Sequence, residues 1–385
     1  MPRIFSMKLL AIVPSLYDIS PGQRYRIEQW EPILREKGVE ITYSPFETDA
    51  LRQVLYQPGR IAEKMKFVMQ SVNRRREDLR SVRDFDAVYV FREAALLGPA
   101  YFERSINRSG VPMIFDFDDA VFVSYKSPSN GYLSYLKFPG KTATICRLSA
   151  HIMAGNPYLA DYARQFNPHN VTVIPTTIDT DKYHFPENKP ANDVPVIGWS
   201  GSHSTVQHLD TLRETLQDLA RARRFRLRVI GTANYEIEGV DVEAMAWRSE
   251  TETSDLQPID IGVMPLPDDQ WSKGKCGLKA LQYMALGIPT MCSPVGVNSD
   301  IIQDGENGFL AGAKDEWIEK LKRLLDSAEL RRKLGAAGRR TVEEKYSARV
   351  QAPRVFQILT SVVQKKTTDK KAVEAEKQEE KSYSI

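Results

Sequence analysis

Short apolar runs alternate along the chain with longer stretches in which apolar residues recur every three or four positions. The runs predict buried strands, and the stretches between them predict helices with one apolar face. The predicted helices include residues 24–38, 157–166 and 205–224. The predicted strands are residues 8–15, 39–46, 85–93, 111–119, 150–156, 171–179, 196–202, 225–231, 258–266 and 289–294. This βαβ rhythm predicts the α/β class, with a doubly wound parallel sheet.

A stretch rich in Pro, Asn and charge, residues 183–195, interrupts this rhythm and predicts a linker. A chain of 385 residues is long enough for two ordinary domains. We therefore expect two Rossmann-like domains, residues 1–185 and 186–345. Residues 346–364 predict a helix that packs back on the first domain. The charged residues 365–385 have too little apolar surface to offset their ordering entropy, so we expect disorder there.

Composition narrows the class of protein. Apolar residues make up 42% and charged residues 27%, as in soluble globular proteins. The net charge of +3 gives no reason to expect a nucleic-acid partner. The three cysteines have neither a pairing pattern nor a metal-ligand spacing, which favours a cytoplasmic protein without structural zinc.

The loop after the predicted strand 258–266 has the composition of a phosphate site. Ligands of open α/β sheets bind beyond the carboxyl ends of the strands. Gly274 and Gly277 allow backbone N–H groups to approach a ligand, and a helix N-terminus follows them. Lys273, Lys275 and Lys279 add positive charge. The pattern suits a diphosphate, although a helix N-cap with solvated lysines has the same composition.

The segment "GLKALQYMALGIPTMCSPVGVNSDIIQDGENGFLA" resembles the donor-binding region of retaining GT-B glycosyltransferases, especially glycosyltransferase family 4. That family has a Gly-rich loop, a helix reading Glu-x-Met-Ala-x-Gly and an Asp-Gly-x-x-Gly-Phe hairpin. The resemblance implies two Rossmann-like domains facing a cleft, with a nucleotide-diphosphate-sugar on the second. It implies no cofactor and no metal ion. The diphosphate would contact Lys275, Lys279 and the backbone of Gly277 and Leu278.

The sequence departs from the family pattern at two positions eight residues apart, where the family has glutamates. They fall at Gly274 and Gln282. The second glutamate binds the nucleotide ribose in the family. Gln282 can hydrogen-bond to ribose hydroxyls, but without the carboxylate charge we expect binding weaker by roughly 1 kcal/mol.

A second departure lies in "VIGWSGSHSTVQHL", where family members carry an Arg and a Lys that clamp the diphosphate. By alignment these positions fall near Ser202 and Gln207. Gly201, Ser202 and His203 remain as donor contacts, and we expect Lys275 and Lys279 to supply the positive charge.

The first domain is expected to bind the acceptor. Gly22, Arg24 and Arg26 follow the first predicted strand, where a GT-B enzyme places a loop near the transferred sugar. The arginines are predicted to face a phosphate or an anionic acceptor, or else solvent.

Carboxylates follow two other predicted strands of the first domain. Asp116, Asp118 and Asp119 end the strand 111–119, and Glu93 follows Arg92 at the end of another. We expect acceptor contacts from Asp116 and Glu93 and a catalytic role for Asp118 and Asp119, with helix capping or metal binding as alternatives.

Residues 60–83 have an apolar stripe at helical spacing and eight basic residues against three acidic ones. Either the stripe faces the core and the basic face is solvated, or the helix lies against anionic lipid.

The sequence thus predicts a cytoplasmic retaining glycosyltransferase, with possible peripheral membrane contact, that transfers a sugar to a glycan or lipid-linked acceptor. An inactive nucleotide-binding partner protein and a nucleotide-sugar epimerase are the alternatives.

Overall fold

The computed structural model describes residues 6–55, 57, 59–124, 138–184, 192–202 and 205–382, with side chains as far as residue 368. The described residues form two parallel sheets of six strands each. The first has the order β2-β1-β3-β4-β5-β6 and the second the order β12-β11-β10-β7-β8-β9. The strands are β1 Met7–Val13, β2 Val39–Pro45, β3 Ala87–Phe91, β4 Met113–Phe117, β5 His151–Ala154, β6 Val171–Val173, β7 Val196–Ser200, β8 Arg226–Ile230, β9 Asp241–Met245, β10 Ile261–Met264, β11 Thr290–Cys292 and β12 Phe309–Leu310.

Helices cover the faces of both sheets. They are α1 Pro21–Gln23, α2 Gln29–Glu36, α3 Asp49–Leu55, α4 Ile61–Asp78, α5 Tyr101–Ser109, α6 Lys141–Leu148, α7 Pro157–Arg164, α8 Val206–Asp210, α9 Arg213–Ala222, α10 Glu252–Leu256, α11 Gln270–Lys273, α12 Leu278–Ala285, α13 Asn298–Ile301, α14 Lys314–Asp326, α15 Ala328–Thr341 and α16 Ala348–Ser382. Within the described ranges, every helix is too short or too polar to cross a bilayer.

The strands form because their side chains are buried on both faces, as parallel sheets require. All residues of β3, β4 and β7 are buried. The predicted α/β class is confirmed, and each predicted strand is present in a shorter form. The sequence pattern missed β9, because this edge strand is half-exposed and carries Asp241 and Glu243 instead of an apolar run.

The predicted helix 24–38 is broken. A π-helical turn, Arg24–Glu28, separates α1 from α2, and within it Arg26 has non-helical backbone angles of φ −128° and ψ −109°. Pro32 of α2 has no N–H to donate to the carbonyl group of Glu28, which favours a widened turn at this point.

Arg26 and Asp116 form an ion pair inside the first domain. Arg26 Nε donates to Asp116 Oδ2 over 2.7 Å, and Nη2 lies 2.6 Å from Oδ1. Arg26 also donates to the Ile174 carbonyl, and the Tyr89 hydroxyl donates to Asp116. Both charged side chains are fully buried. The prediction that Arg26 and Asp116 contact the acceptor is therefore wrong, because neither reaches the surface.

The last helix, α16, packs against α2 of the first domain. Ala352, Val355 and Leu359 join the core cluster that contains Trp30 and Leu34. The structure continues α16 to Ser382, past the predicted end at residue 364 and through most of the predicted disordered tail. The residues beyond 364 are mainly Lys, Glu, Ala and Gln, all good helix formers.

The buried ion pair predicts a large stability effect for one substitution. Replacing Asp116 with Ala leaves the Arg26 charge buried without its partner, which we expect to lower the free energy of unfolding by about 3–5 kcal/mol. Urea unfolding measures this change. The matched control is Asp161→Ala, which breaks the exposed pair with Arg164 and should cost less than about 1 kcal/mol.

An equal effect of the two aspartate substitutions would contradict the assignment. If Asp116→Ala fails to fold, the double variant Arg26→Met/Asp116→Leu provides the measurement. It removes both charges together and should be more stable than Asp116→Ala, since no unpaired charge remains.

Candidate active site

A cleft lies between the two domains at the carboxyl ends of their strands and encloses about 660 Å³. The first domain contributes Gly22, Asp118 and Asp119 to its walls. The second domain contributes the turn after β7 and the loop before α12. The predicted site residues that line the cleft are Gly22, Asp118, Asp119, Gly201, Ser202, Lys275, Gly277, Leu278, Lys279 and Gln282.

The loop between α11 and α12 turns sharply at Gly277. This residue has φ +70° and is the N-cap of α12, so the first N–H groups of the helix begin at the cleft wall. A Cβ atom at this position would lie 2.3 Å from Ile301 Cδ1. The left-handed backbone conformation therefore favours glycine, and a side chain would also displace the end of the Ile301 side chain. The result is a helix N-terminus that offers unpaired N–H groups and a positive dipole end to the cleft.

Lys279 lies in the first turn of α12 with its Nζ 4.4 Å from the centroid of the Trp199 ring. Burial, and next to it the charge of Lys275, lower the pKa of Lys279 to about 7. Among the described residues, Lys279 has no carboxylate in ion-pair contact. A cation without a counter-ion at a helix N-terminus is suited to an anionic ligand.

Lys275 is paired across the cleft. Its Nζ lies 2.8 Å from Asp119 Oδ1, and Arg92 donates to Asp118 over 2.7 Å and to Asp119 over 2.9 Å. Burial acts to raise the pKa of Asp119, but the charges of Lys275 and Arg92 outweigh it and lower that pKa. The predicted residues Lys275, Asp118 and Asp119 are therefore brought together, and Arg92 joins them.

Gly274 packs against the first domain and does not line the cleft. A Cβ atom there would lie 2.5 Å from Ala120 Cβ and 2.7 Å from Ala120 N. The position at which the family has its first glutamate is thus occupied by a close contact between two loops. Asn156 supports this contact by donating its amide to the Lys275 carbonyl over 2.9 Å. A donor contact through the backbone of Gly274 stays a prediction.

Two predicted acceptor residues also have other partners. Arg24 is almost fully buried, with Nη2 3.1 Å from Glu252 Oε2 of the second domain and Nε 2.7 Å from Asp18 Oδ1. Glu93 pairs with Lys141 and does not line the cleft. The predicted acceptor contact of Arg24 is therefore wrong, because its guanidinium group is buried against Glu252, whereas the acceptor contact of the partly exposed Glu93 stays a prediction.

Gln282 lines the cleft, but its amide nitrogen is engaged. It donates to the Tyr25 hydroxyl over 2.7 Å and to the Tyr183 hydroxyl over 2.9 Å. A ribose contact of Gln282 stays a prediction. His203 lies outside the described residues.

Sequence reasoning missed several residues of the same cleft, namely Tyr25, Thr205, His208 and Cys276. Burial, followed by the charges of Lys279 and Lys275, lowers the pKa of His208 to about 4, so this imidazole is neutral at pH 7. His208 follows Gln207, and Gln207 lies near one of the two positions at which family members carry an Arg or a Lys. Trp247 and Glu252 also line the cleft, in the segment 247–257 that the sequence suggests for contacts with the nucleotide base.

The arrangement of domains, cleft and helix N-terminus has counterparts among known proteins. Residues 194–327 match the family described as Glycosyl transferases group 1. A search of curated proteins finds no match. Sucrose-phosphate synthase from Thermosynechococcus elongatus is 14% identical with a TM-score of 0.66, and the alignment covers 92% of this chain and 99% of that one.

Two further solved structures are similar over nearly the whole chain. A glycosyltransferase from Rickettsia africae ESF-5 is 14% identical with a TM-score of 0.67, over 93% of this chain and 99% of that one. HepE from Anabaena, solved in complex with UDP and glucose, is 12% identical with a TM-score of 0.62, over 92% of this chain and 100% of that one. The predicted GT-B fold is confirmed, and so is the prediction of an enzyme of glycosyl transfer.

The environment of Lys279 predicts an unusual titration. Ordinary lysines titrate near pH 10.4, whereas the pKa of Lys279 is about 7. Its charge is present below pH 7 and lost as the pH rises, so affinity for an anion at α12 should fall over the same range. After reductive methylation with ¹³C, one lysine resonance should titrate near pH 7 in NMR spectra.

That resonance should disappear in Lys279→Arg and remain in Lys314→Arg, a variant of an exposed lysine paired with Asp218. Titration of all lysine resonances above about pH 9 would contradict the burial of Lys279.

Proposed function

We propose that this glycosyltransferase is a retaining enzyme that transfers a sugar from a nucleotide-diphosphate-sugar to a glycan or lipid-linked acceptor. The observation that carries the proposal is Lys279, a cation at the N-terminus of α12 whose charge has no carboxylate counter-ion among the described residues. A diphosphate at this position supplies the missing negative charge and accepts from the N–H groups of Gly277 and Leu278.

Donor binding would rearrange the charges in the cleft. Lys275 lies on the same loop as Gly277 and forms an ion pair with Asp119. A bound diphosphate competes with Asp119 for this ammonium group. Lys275 and Lys279 together then stabilise the negative charge that develops on the leaving phosphate, which is electrostatic catalysis in a partly dehydrated site.

The acceptor would bind at the carboxyl end of β4. Asp118 lies there beside Gly22, and Arg92 fixes the orientation of its carboxylate through a 2.7 Å hydrogen bond to Oδ1. A carboxylate in this position can accept from an acceptor hydroxyl. In a retaining reaction the departing phosphate takes the proton of that hydroxyl, so the proposal requires no protein nucleophile. It also includes no metal ion, which makes activity in EDTA part of the test.

A transfer assay tests the proposed function. Nucleotide-sugars are first screened by thermal shift, since a ligand at a hundred times its Kd adds about 2.7 kcal/mol of stability. The donor found is then assayed with glycan and lipid-linked acceptors, and NMR of the product identifies the anomer. We expect retention, and Lys279→Ala should lower kcat by about a hundredfold or more.

The control variant is Lys314→Ala. It replaces an exposed lysine that pairs with Glu214, and it should leave turnover unchanged. Full activity of Lys279→Ala would contradict the assigned diphosphate site. An inverted product would contradict retention. Conversion of the nucleotide-sugar without an acceptor would favour an epimerase, and binding without any turnover would favour an inactive partner protein.

The surface of α4 supports contact with an anionic membrane as part of this function. Ile61, Met65 and Met69 are about half exposed and lie four residues apart, on one side of the helix. Lys66 and Arg76 are exposed on the same helix, as are Glu63 and Glu77, while Lys64 and Arg75 are buried.

The other end of α4 reaches the carboxyl edge of the first sheet, where Arg75 Nε donates to the Ala94 carbonyl over 3.0 Å. The apolar and basic surface therefore belongs to the domain that would bind the acceptor. This position suits an acceptor presented at a lipid surface.

Vesicle flotation tests the membrane contact. The protein should float with vesicles that contain phosphatidylglycerol and not with vesicles of phosphatidylcholine alone, because each basic residue near an anionic surface contributes about 1 kcal/mol. Ile61→Gln/Met65→Gln/Met69→Gln should abolish flotation. Val350→Gln, an exposed apolar residue of α16, is the control. Equal flotation of the wild type and the triple variant would contradict a docking role for α4.

A further inference from the structure

A buried polar network joins the two domains beside the cleft. Tyr25 comes from the π-helical turn of the first domain, and its ring lies in a core cluster of the second domain, with 1% exposure. Its hydroxyl donates to Glu252 Oε2 over 2.9 Å. The Tyr183 hydroxyl contacts the Tyr25 hydroxyl, and the Gln282 amide reaches both.

Glu252 is the acceptor end of this network. Arg24 Nη1 and Trp247 Nε1 donate to Oε1 over 3.4 and 3.2 Å, and Arg24 Nη2 and Tyr25 donate to Oε2 over 3.1 and 2.9 Å. A carboxylate has about four acceptor positions, so these donors satisfy Glu252. The Tyr25 proton is committed to Glu252, and the Tyr25 oxygen must therefore accept from its other neighbours.

Gln282 is the donor end. Its two amide protons go to the oxygens of Tyr25 and Tyr183, two acceptors that need protons. A carboxylate at position 282 has no proton to give. It would also place a second negative charge next to the tyrosines that contact Glu252, with both groups almost fully buried. The direction of the hydrogen bonds therefore selects an amide at this position.

We propose that Gln282 is a positioning residue that fixes the π-helical turn of the first domain on the second domain, and that this role requires an amide in place of a carboxylate. The turn follows Pro21 and Gly22, and a Cβ atom at Gly22 would lie 2.7 Å from both Arg92 Nη2 and Asp118 Oδ2 on the acceptor side of the cleft. Gln282 thus sets the position of the acceptor side relative to the donor loop. This consequence for transfer rests on the proposed function, whereas the docking itself does not.

The substitution Gln282→Glu tests the proposal without any ligand. At pH 8 the variant should melt several degrees below the wild type, and small-angle X-ray scattering should show a larger radius of gyration.

The effect should also depend on pH. Burial and the charge of Glu252 raise the pKa of a carboxyl group at position 282 when the two domains are docked. Docking is therefore favoured below the ordinary glutamate pKa and lost as the pH rises through the raised value. At pH 5 the protonated acid adds no negative charge and donates its single proton to one of the two tyrosine oxygens, so the difference in melting should shrink without disappearing.

Tyr25→Phe is the matched variant in the other domain, since it removes the hydroxyl and keeps the ring. In a double-mutant cycle with Gln282→Met, the two substitutions should be non-additive in the urea midpoint, because each breaks the same hydrogen bond. This cycle also provides the measurement if Gln282→Glu does not fold.

Three results would overturn the proposal: additivity of Tyr25→Phe and Gln282→Met, a Gln282→Glu variant as stable as the wild type at pH 8, or an equal loss at pH 5 and pH 8. Tighter nucleotide binding by Gln282→Glu with unchanged melting would assign the residue to the ribose instead. With an active enzyme, Gln282→Glu should raise the KM for the acceptor and leave the KM for the donor unchanged. If no donor binds, the melting, scattering and double-mutant arms still decide the docking role.

Discussion

The arrangement of the cleft depends on the short π-helical turn Arg24–Glu28, whose two arginines form ion pairs in different domains. Arg24 enters the second domain and pairs with Glu252, while Arg26 enters the core of its own domain and pairs with Asp116. A regular helix would place these two side chains about 200° apart, and the non-helical backbone at Arg26 changes that direction. Both pairs are buried, so displacing the turn would separate charges in a region of low dielectric constant.

Charge pairing also explains why the donor loop lies where it does. The loop contacts the first domain through the Lys275–Asp119 ion pair, through Asn156 and through the close approach of Gly274 to Ala120. Each of these contacts uses a polar group or a glycine that a ligand site would otherwise use. The two domains therefore contact each other through several of the groups that the sequence assigns to substrates. Lys279 is different, because its ammonium group faces an aromatic ring.

Local sequence patterns predicted the two sheets, since buried parallel strands have continuous apolar runs and the chain keeps this rhythm on both sides of residues 183–195. The same patterns located Lys279 and Gly277, because a phosphate loop is a local feature. They failed for Arg26 of the π-helical turn and Asp116 of β4, which were expected at the cleft but pair with each other in the core of the first domain. They also failed for Glu252, whose partner Arg24 is 228 residues away in sequence. Pairings over such distances have no signal in a single sequence.

The contact between Cys276 and the first domain has a practical consequence. Its thiol lies 3.2 Å from the Asp118 carbonyl and is nearly inaccessible, whereas Cys146 and Cys292 belong to the interior of the separate domains. Parting of the domains uncovers Cys276 and leaves the other two thiols covered. The rate at which a thiol reagent modifies Cys276 in the native protein would therefore rise with any opening of the cleft. The chain carries its own reporter of domain motion, with no label to introduce.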